Sequence, residues 1–373
     1  MNKQQVKKAF FSLMNFAGIT VNGRKSYDIQ VYNDQFYSRV LEQTALGLGE
    51  SYMDKWWDCQ ALDQFIDKVM RADLLSRLKQ DWATTWNIIK AKFFNLQTTK
   101  RAFVVGEKHY DIGNDLYQRM LDKNMQYTCG YWDNADSLDA AQEAKLSMIC
   151  RKMDLKPGMT VAELGCGFGG FARYAATNHG VQVVGFTVSR EQARYAKQWC
   201  RGLPVDIRLD DYRKAEGQYD RVISTGLMEH VGYKNYRTYM KLTSRLLKKD
   251  GIAFIQTIGS NVSHSICNPW TCKYIFPNSV LPSIAQLGKA MEGYFVVEDW
   301  HNFGEDYDKT LMAWWQNFEK AWPELESKYG ERFYRMWKYY LLSCAGGFRS
   351  RLMQLWQIVM TKPGRTRPDC RMC

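Results

Sequence analysis

The stretch Val161-Ala-Glu-Leu-Gly-Cys-Gly-Phe-Gly-Gly170 constrains this chain more than any other. An apolar run passes through an acid into a turn in which four of the last six residues are glycine. Glycine has no Cβ, so the backbone can turn tightly and come against a ligand, and a helix that follows aims free N–H groups into the same space. The expected ligand is nucleotide-like, at the carboxyl end of a strand in an open α/β sheet.

The glycines alone leave two ligand classes open. Gly165, Gly167 and Gly170 satisfy the G-x-G-x-x-G pattern of NAD and FAD sites. Such sites place an acid about 20 residues further on for the ribose. Here the next strand candidate, Val181–Thr187, ends in Thr187, with Glu191 just beyond. The other class is an S-adenosylmethionine fold, in which the acid before the glycines, Glu163, serves the methionine end or water-mediated contacts around it. The pattern favours that second class.

From Thr160 onward strands and helices alternate. The strand candidates are Val161–Leu164, Val181–Thr187, Val205–Leu209, Arg221–Thr225, Gly251–Thr257 and Leu355–Met360, with helical patterns between the first five. This alternation predicts an α/β fold with a doubly wound, mostly parallel sheet. Ahead of it, Val6, Phe10, Leu13 and Ala17 recur at helical spacing, and Asp34–Leu41, Asp63–Met70 and Trp82–Phe94 read as helices. The length of 373 residues suits two domains at about 150 residues each. The expected division is a mainly helical accessory domain over 1–97 and a catalytic domain over 98–373. A connection near Lys100-Arg101 and Gly106 joins them, and helical pattern returns at Asn114–Leu121 and Ala140–Met153.

Composition narrows the partners. Lys and Arg exceed Asp and Glu by 51 to 39, a net charge of +12 that favours an anionic partner, either nucleic acid or a phospholipid surface. No apolar run approaches the roughly 20 residues that span a bilayer. The opening Met1–Phe11 stretch makes a poor secretion signal, because Ser12 and Asn15 interrupt its apolar part. Membrane contact is therefore expected to be peripheral, with the basic tail Lys362–Cys373 mobile and available to assist it. Ten cysteines show no zinc-like double pair, and the only C-x-x-C is Cys370–Cys373. That suits a reducing cytosol and gives no metal site. Aromatic residues make up 14% of the chain. They build either a bulky core or a deep apolar pocket whose ring faces stabilise a cation.

Several ordered motifs then go beyond a generic fold. Glu107-Lys-His-Tyr-Asp-Ile-Gly-Asn-Asp-Leu-Tyr117, Met125-Gln-Tyr-Thr-Cys-Gly-Tyr-Trp132, the Glu163–Gly170 loop, Leu227-Met-Glu-His-Val-Gly232, Lys273-Tyr-Ile-Phe-Pro-Asn278 and Cys344-Ala-Gly-Gly-Phe348 closely resemble the cyclopropane-fatty-acyl-phospholipid synthases. Leu46–Trp57 resembles the long bacterial form with its extra N-terminal domain. The resemblance implies transfer of a methylene from S-adenosylmethionine to a cis double bond of a phospholipid acyl chain, with bound bicarbonate taking the proton. It also implies a homodimer at the cytoplasmic face of the membrane, on anionic phospholipid, with no nucleic acid partner.

Carried onto this chain, the resemblance gives Cys129, Glu229, Gln256, Tyr307 and the backbone of Ile258 as bicarbonate ligands, and marks Cys344 as a site cysteine. Each has a plainer competitor: packing for the small thiol of Cys129, a solvated loop carboxylate for Glu229, a half-buried tyrosine at a helix start for Tyr307. Gln256 departs from the family, which commonly has histidine there. An amide can donate to an anion but does not titrate near neutral pH. Alkene methylenation needs no thiolate, so Cys344 is expected to line a pocket. For S-adenosylmethionine the resemblance gives Tyr127, Thr128, Glu163, Gly165, Cys166, Gly167, Gly169, Gly170, Thr187, Gln192, Asp211, Tyr212, Arg213 and Thr225, with backbone near Asp211 an alternative to its side chain. The His109–Asn114 segment is expected to cap a helix through Asp111 or Asn114. Related lipid methyltransfer without ring closure, RNA methylation by a basic protein, and lipid binding without catalysis are the competing functions.

Overall fold

The computed structural model describes residues 3–74 and 113–371. The expected helix Trp82–Phe94, the connection around Lys100-Arg101 and Gly106, and His109–Ile112 lie outside the described residues. Two compact units make up the chain: one from Met1–Phe94, Ile266–Pro277 and Tyr307–Met353, the other from Asn95–Ser265, Asn278–Asp306 and Gln354–Cys373.

The first unit is mainly helical. It contains helices Lys3–Phe16, Gln35–Met53, Leu62–Arg71 and Pro269–Tyr274 and most of the long helix Glu305–Arg349, with a two-residue antiparallel pair, β1 (Gln30–Val31) and β2 (Trp57–Asp58). Its aromatic residues pack on one another. Trp57 is buried against Phe36, Tyr52 and Phe65, and Tyr329, Phe333 and Trp337 form a stack. For these rings the bulky-core reading holds. Arg335 lies buried over the Tyr52 ring, donating to the Tyr52 and Trp57 carbonyls and to Asp58. Glu50 is held by Arg39, Lys273 and the Tyr274 hydroxyl, which keep its carboxyl at about 2 despite burial.

The second unit carries a seven-stranded sheet of order β5-β4-β3-β6-β7-β9-β8. Its strands are β3 (Thr160–Leu164), β4 (Gln182–Thr187), β5 (Val205–Leu209), β6 (Tyr219–Thr225), β7 (Leu247–Ser260), β8 (Val296–Asn302) and β9 (Met353–Thr361). β3 to β7 pair in parallel, and β8 pairs antiparallel with β9. The doubly wound, mostly parallel sheet expected from the alternation is present.

Both faces of this sheet are covered. Side chains alternate between two cores along each strand: Val222, Ala253, Ile255 and Ile358 face one, with Tyr239, Met240 and Leu287, while Ile223, Ile252, Phe254 and Val359 face the other, with Ile149, Phe171 and Ala172. Burial on both sides explains why the strands read as unbroken apolar runs. β8 escaped the sequence reading because Val296–Asn302 is half polar and largely accessible, as suits an edge strand.

Two local expectations change. The basic tail is anchored, not mobile, through the last described residue: Lys362 Nζ donates to the Leu247 carbonyl, Arg365 Nε to the Asp250 carbonyl, and Cys370 is buried in the second core. Asn114 opens the helix Asn114–Met120 instead of capping it, with Gly113 at the cap position.

Candidate active site

The glycine loop joins β3 to the helix Gly170–His179. Gly165, Gly167 and Gly169 all have positive φ (85°, 52° and 81°), which a side chain would strain. The Gly165 and Cys166 N–H groups both donate to the Phe186 carbonyl, tying the loop to the end of β4. A Cβ on Gly170 would collide with the Asn124 carbonyl and the Gln126 amide. The 122–128 segment therefore lies directly on the start of that helix.

Glu163 is buried at the end of β3, and burial raises its carboxyl well above the usual range. Its Oε2 has no protein partner. Nearby, Lys145 is wholly buried, donating to Gln126 Oε1 at 2.5 Å and Thr128 Oγ1 at 3.0 Å. Burial lowers its ammonium to about 8. Gln142 donates to the Thr128 carbonyl at 2.7 Å. These groups hold Tyr127, Thr128 and Cys129 from below. Tyr127 packs edge-on against Tyr117, which in turn meets Phe168 of the glycine loop. Sequence reading missed Lys145 and Gln142. A lysine four residues after Ala141 and four before Ile149, on the buried stripe of a helix, was the signal available.

The other expected cofactor residues stand at the carboxyl ends of the parallel strands, where open sheets bind ligands. Thr187 closes β4 and shares a hydrogen bond with Gln192, whose N–H is capped by Ser189 Oγ. Asp211, past β5, is engaged by Arg213 through its N–H, Nε and Nη2. With that carboxylate committed, backbone is the better candidate here for ligand contact. Tyr212 leans on Tyr239. Thr225 ends β6 in register with Gln256 of β7, and the Gly226 N–H donates to the Gln256 carbonyl at 2.9 Å. A Cβ on Gly226 would lie 3.2 Å from the Thr128 methyl, so the Thr128 side chain flanks this strand end.

Beside it sits a buried polar cluster. Glu229 Oε1 accepts from the Ile258 N–H at 2.7 Å, while Oε2 has no protein partner. Burial raises this carboxyl to about 7, against the pull of the Ile258 N–H. The Ile258 carbonyl accepts from Thr257 Oγ1, so both backbone groups of Ile258 are engaged. Gln256 Oε1 accepts from Gln357 Nε2 at 3.0 Å, leaving Gln256 Nε2 and Gln357 Oε1 unpartnered in the protein. Cys129 is buried with its thiol directed to the Gly130 carbonyl at 3.1 Å.

Tyr307 and Cys344 belong to the first unit. The Tyr307 ring lies 4.5 Å from Phe348 and 6.0 Å from Trp314. Burial pushes the Cys344 thiol up to about 12, which leaves no thiolate at neutral pH. Among the described residues no group of acids, histidines and cysteines could hold a metal ion, and no helix is long and apolar enough to cross a membrane.

The family model for mycolic acid cyclopropane synthetase matches residues 97–358. The chain belongs to that family. It is 53% identical to the cyclopropane-fatty-acyl-phospholipid synthase of Escherichia coli strain K12, over 94% of this chain and 92% of that protein. A probable fatty acid methyltransferase of Pseudomonas putida is 33% identical over 68% of each chain. The cyclopropane synthase MmaA2 of Mycobacterium tuberculosis superposes with a TM-score of 0.66 at 25% identity, over 70% of this chain and 98% of that one. The mycolic acid cyclopropane synthase CmaA1, solved with SAH and CTAB, gives 0.65 at 28% identity over the same shares. As a family member the chain is an S-adenosylmethionine-dependent methyltransferase.

Proposed function

We propose that this enzyme adds a methylene from S-adenosylmethionine across the cis double bond of an unsaturated phospholipid acyl chain, closing a cyclopropane ring, with bicarbonate bound beside Glu229 and Gln256. The observation that carries the anion site is the pair of buried polar atoms left without protein partners, the acceptor Glu229 Oε2 and the donor Gln256 Nε2. Hydrogen carbonate has one O–H to give and charged oxygens to receive, which suits one acceptor and one donor. When bound, S-adenosylmethionine supplies an electrophilic methyl and bicarbonate a proton acceptor.

The chain's own residues bind, orient and exclude water. Glu229, fixed through Oε1 on the Ile258 N–H, keeps Oε2 to receive the anion's O–H, and a carboxyl poised near 7 can take that proton onward. Gln256 donates without titrating. Cys129 and Tyr307 are proposed as further donors, with the Tyr307, Phe348 and Trp314 rings giving a face that tolerates positive charge developing on the acyl chain. The glycine loop, Glu163, Tyr127, Thr128, Thr187, Gln192, the Asp211–Arg213 segment and Thr225 are assigned to S-adenosylmethionine. Cys344 is assigned a lining role. The segment to about residue 97 is proposed as an accessory domain, with homodimers acting from the cytoplasm on anionic phospholipid, to which the +12 charge is suited.

The test is mass spectrometry of cis-unsaturated phospholipid vesicles incubated with enzyme and methyl-labelled S-adenosylmethionine, in ordinary and CO2-free buffer. The expected product gains one CH2, no longer reacts with ozone, and forms more slowly without bicarbonate. A CH2 gain that still reacts with ozone means methylation without ring closure. No lipid product from enzyme that binds the cofactor overturns the lipid reading.

A further inference from the structure

Gln357 is a wholly buried amide within Leu355-Trp-Gln-Ile-Val-Met360, a run otherwise apolar and buried. It sits on β9, next to β7 in the sheet, and its Nε2 donates to Gln256 Oε1 at 3.0 Å. A leucine at this position would be the ordinary choice for a strand covered on both faces. Keeping an amide there, with its own Oε1 unpartnered, costs the desolvation of a polar group.

Nothing in the shape of a glutamine distinguishes its N–H2 end from its C=O end, so the orientation of Gln256 is decided by hydrogen bonding alone. One orientation offers an N–H to an anion, the other a carbonyl that repels it. In the first, the Gln256 carbonyl is turned away from the anion and needs a donor of its own. Gln357 Nε2 is that donor. Without it, every anion held by Gln256 would leave a buried carbonyl unpaired.

We propose that Gln357 is a positioning residue for the anion site: it satisfies the Gln256 carbonyl in the orientation that presents Gln256 Nε2 to bicarbonate. A non-titrating amide relay thereby does by orientation what a protonatable ring at position 256 would do by charge. This rests on the anion reading given above.

The test is the bicarbonate dependence of lipid turnover in CO2-free buffer, for wild type, Gln357→Met, Gln256→Met and the double variant, with S-adenosylhomocysteine affinity and Tm recorded for each. Gln357→Leu gives the same readout should the methionine variant not fold. The expected result is a rise of about tenfold or more in the bicarbonate needed for half-maximal rate in Gln357→Met, with cofactor affinity unchanged. In the Gln256→Met background the second substitution should add nothing. A wild-type bicarbonate profile in Gln357→Met, or additive effects in the double variant, overturns the role of Gln357 and leaves the anion site standing. Wild-type turnover indifferent to bicarbonate removes the anion site, and this inference with it.

Discussion

Burial holds the Glu229 carboxyl near 7 because only one of its oxygens has a donor, the Ile258 N–H. Its folded value stands above the ordinary 4.5. The native state therefore keeps the proton longer, and its stability falls as pH rises from about 4.5 to about 7. Glu229→Gln removes that burden. The Tm at pH 8 should exceed wild type while turnover drops at least about a hundredfold, and a lower Tm at pH 8 would contradict this account of the charge. Lys145 is a different case, since its ammonium serves Gln126 and Thr128. Lys145→Met leaves two buried acceptors unpaired, at about 1–3 kcal/mol each. Isothermal titration with S-adenosylhomocysteine should show affinity reduced about tenfold.

The junction of β3 with the helix Gly170–His179 shows how closely elements are set. A methyl on Gly170 meets the Asn124 carbonyl, which is backbone and has little room to yield. Gly170→Ala should cost about 1–3 kcal/mol of stability by overpacking and weaken cofactor binding together with it, as measured by denaturant unfolding and titration. This loop was legible in the sequence because glycine at positive φ leaves a compositional mark. The central strands were legible because strands buried on both faces are apolar throughout. β8 was not, since its half-polar residues meet neither template. Nor was Gln357 singled out, because one amide in an apolar run carries no local sign of the strand that will lie beside it.

Contacts over long sequence distances order the molecule as a whole. In the first unit Glu50 meets Lys273, 223 positions on, and Arg349 meets Asp63 across 286. Glu50 is held at about 2, below its ordinary 4.5, so its contribution is present in full above about 4.5 and is lost as pH falls toward 2. Glu50→Ala should lower stability by about 2–4 kcal/mol at pH 7, and urea midpoints of variant and wild type should converge near pH 2. Midpoints equally far apart at both pH values would show that the ion pairs are not the cause. The sequence by itself determined the glycine loop, the parallel core of the sheet, the family and the acid after β6, because each is written in local pattern or ordered motif. Only the tertiary structure decided that segments 266–277 and 307–353 join the front of the chain in one unit, that Asp211 is consumed by Arg213, and that Gln357 backs Gln256. A hydrogen bond between distant segments depends on where two backbones come to lie, and no local pattern records that.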